Sequence, residues 1–212
     1  MREAVVVSTA RTPIGKAYRG AFNDLESPSM AAPVIKEALR RAKVDPAEID
    51  DVVMGAALQQ GTQGFNVGRQ AAIAAELPVS IAGQSVDRQC SSGLMSISIA
   101  AKQIIVDGMQ TVVAGGVESI SLVQNAHMNA FRGGDPIVLK RAPAIYMAMI
   151  DTAEVVSKRY NISREAQTST RCKASSAPLR RSKPASSTTR SSQSRLAVSR
   201  PCFSVRNGPR AQ

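Results

Sequence analysis

Cys90 is the residue best placed to do chemistry. It stands in Asp87-Arg88-Gln89-Cys90-Ser91-Ser92-Gly93-Leu94, between a short strand-like run at Gly83–Asp87 and a long apolar run ending at Val106. If that second run is a helix, the thiol lies at its N-terminus. There the positive end of the helix dipole and the backbone N–H groups of the first turn favour the thiolate, which is the nucleophile. Ser91, Ser92 and Gly93 are small and would let a substrate come close. The competing reading is a small buried hydrophobe, a common fate of a lone cysteine. The single histidine, His127, falls in an irregular stretch, where a solvent-facing or locally bonded imidazole is the ordinary expectation. The Gly-rich run Gly61–Gly68 lacks the Gly-Lys-Ser/Thr ending of a phosphate loop.

The elements that would position Cys90 can be read from pattern. Val5–Ala10 predicts a buried strand, and Asp51–Leu58 and Thr111–Gly115 predict two more. Ser27-Pro28 predicts a helix start, with the helix running to about Ala42. Asp45-Pro46-Ala47-Glu48 has the spacing of a capping box and predicts another start. Asn66–Glu76 and Cys90–Val106 predict helices. Strands alternating with helices imply an α/β fold, with a parallel or mixed sheet covered on both faces. The Cys90–Val106 helix has almost no polar stripe, so it is expected to meet protein on both sides. Ser121–Ala148 is irregular, with a turn at Gly133–Pro136, and helical spacing resumes at Thr152–Tyr160 and again from Ser163.

The net charge of +11 suggests a nucleic-acid binder until its distribution is read. Of the 27 Lys and Arg, ten lie in Thr168–Gln212, which holds no Asp or Glu; the rest carries 17 basic against 16 acidic residues. This tail is rich in Ser, has one aromatic residue and shows no helical or strand period, so it is expected to be disordered. The chain is therefore divided into a domain over 1–167 and a Ser/Arg-rich tail over 168–212. Cys172 and Cys202 lie in that tail, leaving Cys90 alone in the domain. A lone cysteine forms neither an internal disulfide nor a metal pair, which points to a reducing, cytoplasmic setting. The N-terminal apolar run is too short for a signal peptide, and no stretch is long enough to cross a bilayer.

The segment D-R-Q-C-S-S-G-L resembles the acyl-cysteine motif of thiolases. So do A-R-T-P-I-G-K at Ala10–Lys16, G-F-N-V-G-R-Q-A-A at Gly64–Ala72, A-G-G-V-E-S-I-S at Ala114–Ser121 and D-T-A-E-V-V at Asp151–Val156, in matching order over about residues 1–167. The resemblance implies a thiolase-like fold, N-terminal half, and acyl transfer between acyl-CoA and CoA. The reaction would be thiolysis of a 3-ketoacyl-CoA or Claisen condensation of acetyl-CoA. Cys90 would accept the acyl group as a thioester, and its backbone N–H would contribute to an oxyanion hole. Coenzyme A would be a substrate, with no resident cofactor and no metal. A homo-oligomer is implied, with Gly64–Arg69 near its contact. Met149 resembles a methionine that lines the substrate pocket, although Ile150 stands where glycine usually follows; core packing is the alternative. The Ala10–Lys16 and Ala114–Ser121 segments favour thiolases over the related β-ketoacyl synthases.

Family resemblance also marks departures. The activating histidine and second catalytic cysteine belong to the C-terminal half of a thiolase. His127, Cys172 and Cys202 match neither. In the family two similar halves stack with their buried helices in contact, so this chain alone would leave the Cys90 helix as an exposed apolar patch. Little or no activity is expected of it. A frameshift after Gln167 would account for the tail: with one G restored and codons chosen to suit, Thr168–Ala177 can be read as DEYALQSQQR and a later run as QAGKFDDEIVP. The competing functional readings are an inactive fragment or partner subunit of a full-length thiolase, and a nucleic-acid binder acting through the tail. The tail lacks interleaved aromatic residues, so specific nucleic-acid binding is not expected.

Overall fold

The structure, a computed structural model, describes residues 2–181 and 202–207. These fall into two compact units, Met1–Met128 with Arg195–Gln212, and Asn129–Ser194.

The first unit is built on a five-stranded mixed sheet. Its strands are β1 (Ala4–Ala10), β2 (Asp51–Gly55), β3 (Ala82–Val86), β4 (Thr111–Gly116) and β5 (Cys202–Asn207), in the order β1-β5-β4-β2-β3. β2 pairs in parallel with both β3 and β4, and β5 runs antiparallel between β4 and β1. β2 is buried along its whole length. Its side chains alternate, as a pleated strand requires: Val52 and Met54 join one core cluster and Val53 the other. Continuous apolar sequence is what a strand covered on both faces needs.

Helices cover both faces. α1 (Ser27–Ala42) and α2 (Val67–Ala74) pack on the Val52 side, where Met30, Ile35, Leu39, Val67 and Ala71 fill the larger core. α1 ends as a helix should, with Lys43 in the left-handed region donating its N–H to the carbonyls of the last turn. α3 (Ser92–Lys102) covers the other face and runs on as a π-turn over Gln103–Asp107. Its Ala100, with Ile104 beyond it, meets Val53, Val112 and Ala114.

Four expectations change. Val5–Ala10 is a strand but not a buried one: β1 lies at the edge of the sheet, and Val6 and Val7 are exposed. Asp45–Glu48 gives one 3-10 turn, Pro46–Glu48, capped by Asp45 on the Ala47 N–H at 2.8 Å, because β2 begins directly after it. The Ser27–Ala42 helix is capped at Glu26, and Ser27 is buried inside its first turn. The segment after Gln167, read as patternless, holds two described stretches: a helix continuing to Arg181, and β5. An antiparallel strand between β1 and β4 satisfies backbone groups on both neighbours, so pairing can place a stretch that has no apolar period. Residues 182–201 and 208–212 lie outside the described residues.

The second unit is helical: α5 (Pro136–Arg141), α6 (Met149–Arg159) and α7 (Arg164–Arg181), after a short α4 (Ile120–Val123) that still belongs to the first. Asp135 caps α5 through the N–H groups of Ile137 and Val138, at 2.8 and 2.9 Å. Neither α5 nor α6 buries a residue. The unit boundary at Met128 precedes the compositional break at Gln167.

Candidate active site

The carboxyl ends of β2, β3 and β4 come level: Gly55 pairs with Val86 on one side and Gly116 on the other. In open α/β sheets, ligands bind outside such ends. Cys90 lies four residues beyond β3, in the turn that leads into α3.

This turn is tied down strand by strand. Gln89 has φ 48°, a left-handed conformation that costs a non-glycine residue about 1–2 kcal/mol. Local bonds hold it there. The Gln89 N–H donates to Asp87 Oδ1 at 2.7 Å. Buried Ser92 donates its hydroxyl to the Gln89 carbonyl at 2.6 Å and accepts from the Arg88 N–H at 2.8 Å. The chain thus reverses between Val86 and Ser92 and lifts Cys90 clear of the sheet. Cys90 is exposed and not disulfide-bonded, so the small-buried-hydrophobe reading is set aside.

Two glycines make this arrangement possible. A Cβ on Gly55 would sit 2.3 Å from the Ser92 carbonyl carbon, and one on Gly116 3.2 Å from the Gly93 Cα. The first turn of α3 therefore rests directly on the ends of β2 and β4. Ser96, one turn further on, lies 2.7 Å from the Gly115 carbonyl and keeps the helix axis against β4.

A buried polar cluster joins the neighbouring loops, and sequence reasoning gave its members no role. Gln63 is fully buried. Its Nε2 donates to Glu118 Oε1 at 2.6 Å and to the Leu58 carbonyl at 2.8 Å. Its Oε1 accepts from the Ser119 N–H and from the Ser27 hydroxyl. Glu118 also accepts the Ala57 N–H at 2.8 Å. The loops after β2 and β4 are thereby fixed to each other and to the start of α1. A lone acid in the apolar run Ala114–Ser121 was the available signal.

The Ala10–Lys16 and Ala114–Ser121 segments meet here. Ile14 and Lys16 line a cavity of about 180 Å3 with Phe22, Met30, Glu118 and Ser119. Just beyond it the Tyr18 N–H donates to the Ser121 hydroxyl at 2.8 Å. Gly64–Ala72 forms the start of α2 against β3: Asn66 caps the helix at the Arg69 N–H and donates to the Gly83 carbonyl at 2.7 Å. Gly68 and Gly83 allow backbone contact there, since a Cβ on Gly68 would collide with the Gln84 carbonyl.

His127 is exposed, with its backbone N–H bonded to Asn125. Cys172 is exposed on α7. Cys202 begins β5. Met149 opens α6 and is 70% exposed; it lines a cleft of about 330 Å3 in the second unit with Thr152, Val156 and Ile162. Among the described residues no three His, Cys, Asp or Glu gather as metal ligands, and no helix is long and apolar enough to cross a membrane.

The family described as "Thiolase, N-terminal domain" matches residues 4–175. The chain belongs to the thiolase family. It is 41% identical to a 3-ketoacyl-CoA thiolase of Bacillus subtilis over 167 residues, covering 79% of this chain and 42% of that protein. It is 38% identical to an acetyl-CoA acetyltransferase of Cupriavidus necator, over 79% of this chain and 44% of the other. The crystal structure of the Bacillus anthracis acetyl-CoA acetyltransferase superposes with a TM-score of 0.64 at 35% identity, over 78% of this chain and 44% of that one. The thiolase-like fold, a mixed sheet with helices, is thus shown. The chain spans less than half the length of the relatives it matches.

Proposed function

We propose that Cys90 is an acyl acceptor and that the chain carries the thioester-forming part of a thiolase reaction. Its sulfur would attack the carbonyl carbon of an acyl-CoA. A carbon–sulfur bond forms to Cys90, and the bond to the leaving group breaks. That group is the CoA thiolate when acetyl-CoA is the donor. It is the α-carbon of acetyl-CoA, which then takes a proton, when a 3-ketoacyl-CoA is cleaved. A second thiol or carbon nucleophile would then release the acyl group. The observation that carries this reading is the exposed sulfur on a turn held by Asp87 and Ser92 and seated on Gly55 and Gly116.

The rest of the reading is coarser. Acyl-CoA and CoA are the substrates, and no resident cofactor is required. Met149 enters as a substrate contact by resemblance, supported by its exposure. A cytoplasmic setting suits a chemically active thiol. A homo-oligomer through the β3 side is supported by an edge strand flanked by Phe65, 98% exposed on the loop before α2. Turnover needs a base to activate the thiol. The one histidine, His127, lies outside every segment that resembles a thiolase motif, so these 212 residues alone would turn over slowly or not at all. A frameshift after Gln167 is the proposed origin of the tail, and sequencing the DNA through that codon tests it.

The experiment is acylation of the purified chain with acetyl-CoA, read by mass spectrometry of its peptides, alongside acetoacetyl-CoA cleavage. One acetyl group on the Cys90 peptide, absent in Cys90→Ser, with little cleavage, is the expected outcome. Acetylation at Cys172 instead, or no acetylation in the chain restored to its corrected frame, refutes the assignment. Normal turnover by the 212-residue chain refutes the need for more.

A further inference from the structure

Asp51 is a buried carboxylate that acyl transfer at Cys90 does not use. It opens β2 and is 4% exposed. Among the described residues no Lys, Arg or His pairs with it. Its side-chain partners are amides. Oδ2 accepts from Gln84 Nε2 on β3 and from Gln103 Nε2 just past α3, each at 2.7 Å, and Oδ1 accepts the Val52 N–H at 2.8 Å. Gln103 is buried as well, and its Oε1 has no hydrogen-bond partner. A carboxylate held out of water without a cation is destabilising, and so is an orphaned buried acceptor. What the pair does is join α3 to β2. The strand meets the helix at both ends. At its carboxyl end Gly55 lies under Ser92 and Gly93. At its amino end Asp51 takes Gln103, where the helix passes into its π-turn. Such turns are frequent at functional sites.

We infer that Asp51 and Gln103 are positioning residues for the Cys90 sulfur: they hold the far end of α3 on β2 and so fix where the helix begins. The inference rests on the reading of Cys90 as an acyl acceptor. At the start of α3 the contacts are with Gly55 and Gly116, which permit close approach but present no side chain to fix the helix along its axis. Ser96 gives one polar contact, to the Gly115 carbonyl. The Gln103–Asp51 bond gives another, and its charged acceptor makes it the stronger kind. Two such contacts along one axis set the tilt of a rigid helix, whereas one leaves it free. Ser96 lies about 6 Å from Ser92 and about 10 Å from Gln103 along the axis. A shift of Gln103 therefore returns at Ser92 with more than half its size, and Ser92 bonds the Gln89 carbonyl beside Cys90. Misplacement by about 1 Å can slow a positioned reaction on the order of a hundredfold.

The test uses the full chain with Cys172→Ser and Cys202→Ser, which leaves Cys90 as the one thiol. Its sulfur is labelled with a trifluoromethyl ketone reagent and read by fluorine NMR; unlabelled protein is acetylated with acetyl-CoA. Gln103→Met keeps the side-chain length and removes the amide. It is expected to shift or split the fluorine resonance and to slow acetylation of Cys90 about tenfold. Asp51→Ala is expected to move the resonance as well, and Gln103→Met added to it should move it little further, because the two act through one bond. Ile35→Ala, on the opposite face of the sheet, lowers stability alone and should leave the resonance in place. An unmoved resonance in folded Gln103→Met overturns the proposal. So does an equal shift in Ile35→Ala, or independent shifts from Asp51 and Gln103 that simply add. Gln103→Met decides by itself where Asp51→Ala does not fold. A parent chain that is labelled at Cys90 but never acetylated refutes the acyl-acceptor reading instead, and the resonance still decides the role of Asp51 and Gln103.

Discussion

α1 and α3 cover opposite faces of one sheet, and they are built in opposite senses. α1 turns Met30, Ile35 and Leu39 inward and Lys36 and Arg40 outward, as a surface helix does. α3 turns Ser92, Ser96 and Ala100 inward and leaves Leu94 exposed. The inward serines earn their place through hydrogen bonds: Ser92 holds the Cys90 turn, and Ser96 meets β4. The difference teaches that the two helices are seated differently: α1 keeps its large apolar side chains against the sheet, whereas α3 leaves Leu94 exposed and seats Ser96 and Ala100 inward. Cys90 sits just before the first turn of α3.

The comparison can be broken most severely beneath the Cys90 turn. Gly55→Ala would force a methyl group into the Ser92 backbone, and it is expected to cost about 3 kcal/mol or more and to shift Cys90. Urea unfolding and the alkylation rate of Cys90 check both parts. Next come matched truncations. Ile35→Ala, in the wholly buried face of α1, should cost about 3 kcal/mol, whereas Leu94→Ala in an isolated chain should cost about 0.5 kcal/mol or less. Equal losses of melting temperature would mean that α3 is already covered. Gln63→Leu should follow at about 2 kcal/mol, since it leaves half-buried Glu118 and the buried Ser119 N–H short of a partner.

An effect smaller than that of Gln63→Leu concerns the outer surface of α1. Hydrogen bonds from Arg40, joined by those from Arg41, lower the Glu37 carboxyl from 4.5 to about 2. A depressed carboxylate contributes stability that is present above the unfolded value and lost as pH falls. Glu37→Gln should therefore cost about 1 kcal/mol at neutral pH, and parent and variant should converge between pH 4.5 and about 2. Parallel stability curves across that window would contradict the pairing.

Most of the elements were legible because their patterns are local. Ser27–Ala42 carries its own start signal and period, and Thr111–Gly115 is a short apolar run that could only be a covered strand. Cys90 was legible by motif, and its exposure followed from the turn. β1 was misjudged because apolar sequence does not say which strand lies at an edge. β5 was not legible at all: its place comes from backbone groups on β1 and β4, which leave no mark on the sequence of Cys202–Asn207. The Gln63–Glu118 bridge joins residues 55 apart and has no local signature.

The sequence by itself determined the family, the candidate role of Cys90 and the apolar character of the helix behind it, since these reside in residue type and short-range order. Tertiary structure alone decided that Gly55 and Gly116 support the Cys90 turn, that Gln63 locks the adjoining loops, and that α3 leaves Leu94 exposed while Ala100 is buried. Each of these depends on which distant segments come within a few ångströms, and close approach in space is not written in the spacing of residues along a chain.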